Sequence, residues 1–131
     1  SSDKLAVSRA FGDFDYKANG DLSARDQAVT AEPEVRVHPR DGGRDLYLVL
    51  ACDGVWDVMT NEEVGRFVHE EVEALRRTSR GDGGEEEEED GVLMAKAADR
   101  LLDECVKNRG SEDNVTALIV FLGSEAAVGA A

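Results

Sequence analysis

Apolar residues gather in a few segments of this chain, and their spacing predicts its elements. Asp45 to Cys52 reads DLYLVLAC, a short apolar run with an aromatic and a β-branched member, preceded by the turn-forming Asp41-Gly42-Gly43. Such a run predicts a buried strand. After Asp53-Gly54, residues Val64, Phe67, Val68, Val72 and Leu75 recur at the spacing of one helix face. Thr60 and Glu63 form a capping box at its start, each side chain placed to bond the other's backbone amide. Arg76, Arg77 and Arg80 fall near its end, where cations suit the helix dipole. A second stripe, Met94, Ala97, Ala98, Leu101, Leu102, Cys105 and Val106, predicts a helix from about Val92 to Asn108, stopped by Gly110. Val115 to Leu122 predicts a second strong strand. Glu34-Val35-Arg36-Val37-His38 alternates as a short strand closed by Pro39. Residues 12–31 are polar and predict a loop, and residues 123–131 a flexible tail.

The core order is therefore strand, helix, helix, strand. Asp53 leaves the carboxyl end of the first core strand, and Asp113 stands just before the amino end of the last. If those strands pair antiparallel, both carboxylates emerge at one sheet edge. A carboxylate at a strand end followed by Gly is a good setting for a hard cation. The alternative for each is a plain turn residue. Trp56 and Met59 are expected to anchor the Asp53 loop in the core.

Composition narrows the classes. The 131 residues hold 29 acids and 15 Lys plus Arg, a net charge of −14, which argues against a nucleic-acid partner and against an anionic membrane surface. The longest apolar run, Leu46 to Cys52, is far too short to span a bilayer. Half of the net charge lies in residues 81–91, which hold seven acids and no base and predict a disordered acidic loop. Cys52 and Cys105 are too few for a disulfide scaffold and lack metal-knuckle spacing. They predict reduced, buried thiols in a cytoplasmic or nuclear protein. An aspartyl-phosphate mechanism of the haloacid-dehalogenase type needs a carboxylate where Ala51 stands, and a cysteine phosphatase needs Arg where Val58 stands. Asp15 to Asp26 partly follows a calcium loop, but Lys17 takes the third ligand place and Asp26 the twelfth.

Five segments in order carry a family resemblance. They are Leu5-Ala6-Val7-Ser8-Arg9-Ala10-Phe11-Gly12-Asp13, Glu32-Pro33-Glu34-Val35, Leu50-Ala51-Cys52-Asp53-Gly54-Val55-Trp56-Asp57-Val58-Met59, Asn61-Glu62-Glu63-Val64 and Gly110-Ser111-Glu112-Asp113-Asn114-Val115-Thr116. With them the chain resembles the C-terminal part of the metal-dependent Ser/Thr protein phosphatases, the PP2C family. The resemblance implies an α+β fold, an antiparallel β-sandwich flanked by helices in four α/β/β/α layers, with only the C-terminal part present in residues 1–122. It implies that Asp53 and Asp113 are ligands to a pair of Mg²⁺ or Mn²⁺ ions. It also implies hydrolysis of phosphoserine and phosphothreonine in proteins by water activated between those ions. The Ser8-to-Asp13 stretch would adjoin a flap beside the active site, and the acidic run would be an insertion between the two helices. The family's phosphate-binding Arg, Glu-Asp pair and Asp-Gly-His segment have no counterpart here. No catalytic side chain other than the two ligands is therefore expected, and the isolated chain is expected to be inactive. The start at Ser1-Ser2-Asp3, without Met, agrees with a piece of a longer, monomeric enzyme. The alternative is a non-catalytic relative, a pseudophosphatase or regulatory binding module on the same fold.

Overall fold

Two strands, Tyr47–Ala51 (β1) and Ala117–Phe121 (β2), pair antiparallel in the computed structural model, which describes residues 5–81 and 88–123. Val49 faces Ile119 at the centre of the register. Backbone bonds extend the pairing past both ends, from Leu122 N to Leu46 O (2.9 Å) and from Cys52 N to Thr116 O (3.1 Å). Both strands form where the apolar runs predict them, trimmed by a residue or two at each end.

Strand alternation gives the sheet two different faces. Tyr47, Val49, Ala51, Ala117, Ile119 and Phe121 pack on the helices. Leu48, Leu50, Leu118 and Val120 point the other way in two cross-strand pairs, and are 37–58% exposed. A second, aliphatic face is thus formed and left open among the described residues.

Three helices follow β1. Asp53–Trp56 (α1) is a single turn, Asn61–Gly81 (α2) spans 21 residues, and Asp90–Asp103 (α3) runs into a π-helical turn at Glu104–Asn108. Val64, Val68, Val72 and Leu75 of α2 are buried against Leu93, Met94, Ala97, Leu101 and Cys105, with Ile119 from the sheet. The α3 stripe follows the predicted one except at its end. Val106 is 51% exposed, because the wider π-helical turn rotates it away from the core. Gly110 ends the element with φ +73, a conformation that suits glycine.

The capping box forms. Glu63 N donates to Thr60 Oγ1 (3.3 Å), and Thr60 N donates to Glu63 Oε2 (2.8 Å). Arg109, beyond the π-helical turn, adds an ion pair to Glu63 (2.9 Å) and another to Glu104 (2.9 Å). The Thr60 amide, the Arg109 guanidinium and the Thr60 hydroxyl together hold the Glu63 carboxyl down to about 2 from 4.5. A lowered folded-state pKa contributes stability that is present above the unfolded value and is lost as pH falls through the folded one. Unfolding midpoints in denaturant are therefore expected to drop between pH about 4.5 and about 2 more steeply in the unmodified chain than in Glu63→Gln. Parallel slopes in the two proteins would remove Glu63 from the acid response.

The chain divides at Pro39/Arg40 into two units. Among its described residues the first holds one 3₁₀ turn, Phe14–Lys17, and a single parallel bridge between Arg9 and Thr30. Gln27 staples its loop, accepting from Asn19 N (3.1 Å) and donating to Asn19 O (2.7 Å) and Leu22 O (3.1 Å). Residues 34–38 do not form the predicted strand. Val35 and Val37 are 78% and 90% exposed, and no neighbouring strand among the described residues offers them a ladder.

Most of the predicted acidic loop, residues 82–87, lies outside the described residues, as does the predicted tail from residue 124. Both ends of the 81–91 stretch belong to helices, since α2 reaches Gly81 and α3 starts at Asp90. Asp90 pairs with Arg76 (2.7 Å), whose guanidinium also lies over the Phe121 ring. No helix among the described residues is long and apolar enough to cross a membrane.

Candidate functional site

The antiparallel pairing brings the acid-bearing segments to one end of the sheet. Ala51 stands opposite Ala117, so the chain leaving β1 and the chain entering β2 run side by side. Asp53 opens α1 and Asp113 lies four residues before β2, and both are exposed at this end. Each carboxylate uses one oxygen on its own backbone. Asp53 Oδ1 accepts from Gly54 N (3.1 Å), and Asp113 Oδ1 accepts from Asn114 N (2.7 Å). The second oxygen of each has no hydrogen-bond partner among the described residues.

Side-chain hydrogen bonds and one close approach bind the two segments together. Ser111 Oγ donates to Gly54 O (2.8 Å). A Cβ on Gly54 would lie 2.5 Å from Asn114 O, so only glycine permits this approach. Cys52 Sγ donates to Asn114 O (3.2 Å) and accepts from Thr116 N (3.2 Å).

Two anchoring expectations change. Cys52 is half-buried and hydrogen-bonded at the sheet end, whereas Cys105 is the core thiol, fully buried near Met59. Burial is the main cause that pushes the Cys105 thiol pKa up. Met59 is buried as expected, but Trp56 is exposed and its indole N–H instead ties α1 back to Ala51 O (2.9 Å). The indole is amphipathic, and an outward-facing backbone carbonyl at the strand end gives its polar edge a partner. Arg109 is the residue that sequence reasoning passed over, its only signal being its place five residues after Glu104. Ser111 stands in the fifth family segment, but its hydroxyl was given no role there.

The chemistry of the donors fits a hard divalent cation, since both are carboxylates with a free oxygen. Two carboxylates fill only part of an octahedral shell, and no group of three or more His, Cys, Asp or Glu side chains able to hold a metal occurs among the described residues. In the first unit, Arg9 holds Glu32 O (3.1 Å) and Arg25 pairs with Glu32 (3.3 Å). They line a cleft of about 460 Å³ with Thr30, Pro33 and Val35.

Helices packed on one face of an antiparallel sheet, with two oxygen-donor side chains at one end of it, define an α+β protein with a candidate cation-binding edge. The family model described as Protein phosphatase 2C matches residues 2–115, and the chain belongs to that family. It is 40% identical over 116 residues to protein phosphatase ppm-1.A of Caenorhabditis elegans, covering 88% of this chain and 21% of the worm protein. It is 36% identical over 126 residues to protein phosphatase 1A of Mus musculus, covering 96% of this chain and 28% of the mouse protein. Protein phosphatase 2C homolog 2 of Saccharomyces cerevisiae matches 65 residues at 45% identity, 50% of this chain and 14% of the yeast protein. The chain thus spans between about a seventh and just over a quarter of these curated relatives.

Proposed function

We propose that the chain is the C-terminal part of a protein serine/threonine phosphatase, and that Asp53 and Asp113 are ligands to its divalent cations, a pair of Mg²⁺ or Mn²⁺ ions. The observation that supports this reading is that two segments sixty residues apart, each bearing an exposed carboxylate, run to the same end of the sheet in a chain of this family. Bound divalent ions would supply positive charge to the phosphoryl oxygens and activate water for hydrolysis. The chain's own part is to hold two oxygen donors and fix their spacing. The open aliphatic face of Leu48, Leu50, Leu118 and Val120 supports a sandwich in the complete domain, with a second sheet laid on that face. The remaining ligands come from that second part. The substrates are phosphorylated proteins, and the enzyme acts as a monomer in a reducing compartment, cytoplasmic or nuclear.

The test compares two polypeptides. The chain joined to the rest of a phosphatase domain of this family is expected to release inorganic phosphate from a phosphothreonine peptide with Mn²⁺ dependence. The 131-residue chain alone is expected to be slower by roughly 100-fold or more, because its ligand set is incomplete. Brisk hydrolysis by the chain alone would sink the partial-site reading.

A further inference from the structure

The sheet end at Cys52 departs from an ordinary ladder. In an antiparallel pair, facing residues of a hydrogen-bonded pair exchange two backbone bonds. The bonds at Leu46–Leu122 and Cys52–Thr116 put both at hydrogen-bonded positions, and each end keeps one of the two exchanges; at the far end Leu46 N donates to Arg44 O (3.1 Å) instead. At Cys52–Thr116 only one of the two exchanges is backbone to backbone, from Cys52 N to Thr116 O (3.1 Å). Thr116 N donates to Cys52 Sγ (3.2 Å) in place of Cys52 O. The Cys52 carbonyl is used elsewhere, accepting from Val55 N (3.1 Å) to open α1. The thiol then donates its own hydrogen to Asn114 O (3.2 Å).

A thiol can serve as weak donor and weak acceptor at once, and both capacities are used here on the strand opposite. The consequence is geometric. The carbonyl released from the ladder lets the chain turn at Asp53, while the thiol keeps residues 114–116 attached to the segment that turned. Ser111 Oγ on Gly54 O and the absent side chain of Gly54 close the same junction from its other side.

We propose that Cys52 is a positioning residue for the Asp53–Asp113 edge, its thiol standing in for its own carbonyl to fix one acid-bearing segment against the other. The clasp stands on the hydrogen bonds alone; its value for cation binding rests on the phosphatase reading above.

Amide exchange by NMR on the ¹⁵N-labelled 131-residue chain separates the two. In Cys52→Ala, which removes donor and acceptor, the Thr116 amide is expected to exchange roughly three- to tenfold faster. The Gly54 and Asn114 signals should shift, and the Val68 and Leu101 amides should keep their protection. Cys52→Ser retains both capacities and is expected to restore Thr116 protection. Ser111→Ala is expected to shift the Gly54 signal without exposing Thr116. Unchanged Thr116 exchange in Cys52→Ala, or Cys52→Ser behaving as Cys52→Ala, overturns the proposal. So does loss of Val68 and Leu101 protection together with Thr116, which would make Cys52 a packing residue. In the chain joined to the rest of a phosphatase domain of this family, added Mn²⁺ is expected to broaden the Gly54 and Asn114 signals together, and less with Cys52→Ala. Absence of broadening there overturns the cation reading and leaves the exchange data to decide the clasp.

Discussion

Asp53→Asn or Asp113→Asn in the complete phosphatase is expected to lower kcat/KM by roughly 100-fold or more and to raise the Mn²⁺ concentration needed for half-maximal rate. The substitution preserves shape. Its amide oxygen can still accept from Gly54 N or Asn114 N, as Oδ1 does now. The atom turned outward then becomes an NH₂ group, which carries partial positive charge and has no lone pair for a cation. Ligation is lost while the local backbone bond stays. Both acids are exposed, so thermal unfolding should change little. Mn²⁺ titrations of initial rate, run beside melting curves, read the two effects separately. An unchanged Mn²⁺ profile in both variants would refute the assignment of these acids.

Leu101→Ala is expected to cost about 2–5 kcal/mol of folding stability. Leu101 is fully buried in the cluster that joins α2, α3 and the helix-facing side of the sheet. Truncation removes its transfer free energy and leaves a cavity between elements that cannot close on it without shifting a helix. A domain of this size is stable by only about 5–15 kcal/mol, so the change reaches deep into the total. The sheet end would loosen with it, since Ile119 of β2 belongs to the same cluster. Val106→Ala on the exposed side of the π-helical turn serves as the control and should stay within about 0.5 kcal/mol. Urea unfolding followed by circular dichroism compares them. Equal midpoints for Leu101→Ala and Val106→Ala would show that the core is placed wrongly.

The elements were legible because their signals are local. A helix face recurs in the sequence itself, so Val64, Val68, Val72 and Leu75 announced α2, and the Thr60/Glu63 box marked where it begins. The same logic failed where the outcome depends on a neighbour. Val35 and Val37 alternate like a strand, yet a strand needs a partner, and none faces them among the described residues. Val106 continues the α3 stripe by count, but an inserted π-helical turn changes the angle per residue.

For the site, the sequence by itself singled out the two acids as candidates, gave their setting at strand ends, and determined the family to which their motifs belong. It also determined that they would meet if β1 and β2 paired antiparallel. Only the tertiary structure decided that they do pair, with Ala51 opposite Ala117. Only the tertiary structure, too, turned Cys52 from a core residue into a clasp and gave Ser111 and Gly54 their places against it. The physical reason is range. Periodicity and capping act over a few residues and are written in the chain, whereas a hydrogen bond between residues 52 and 116 exists only once the register of two distant strands is set.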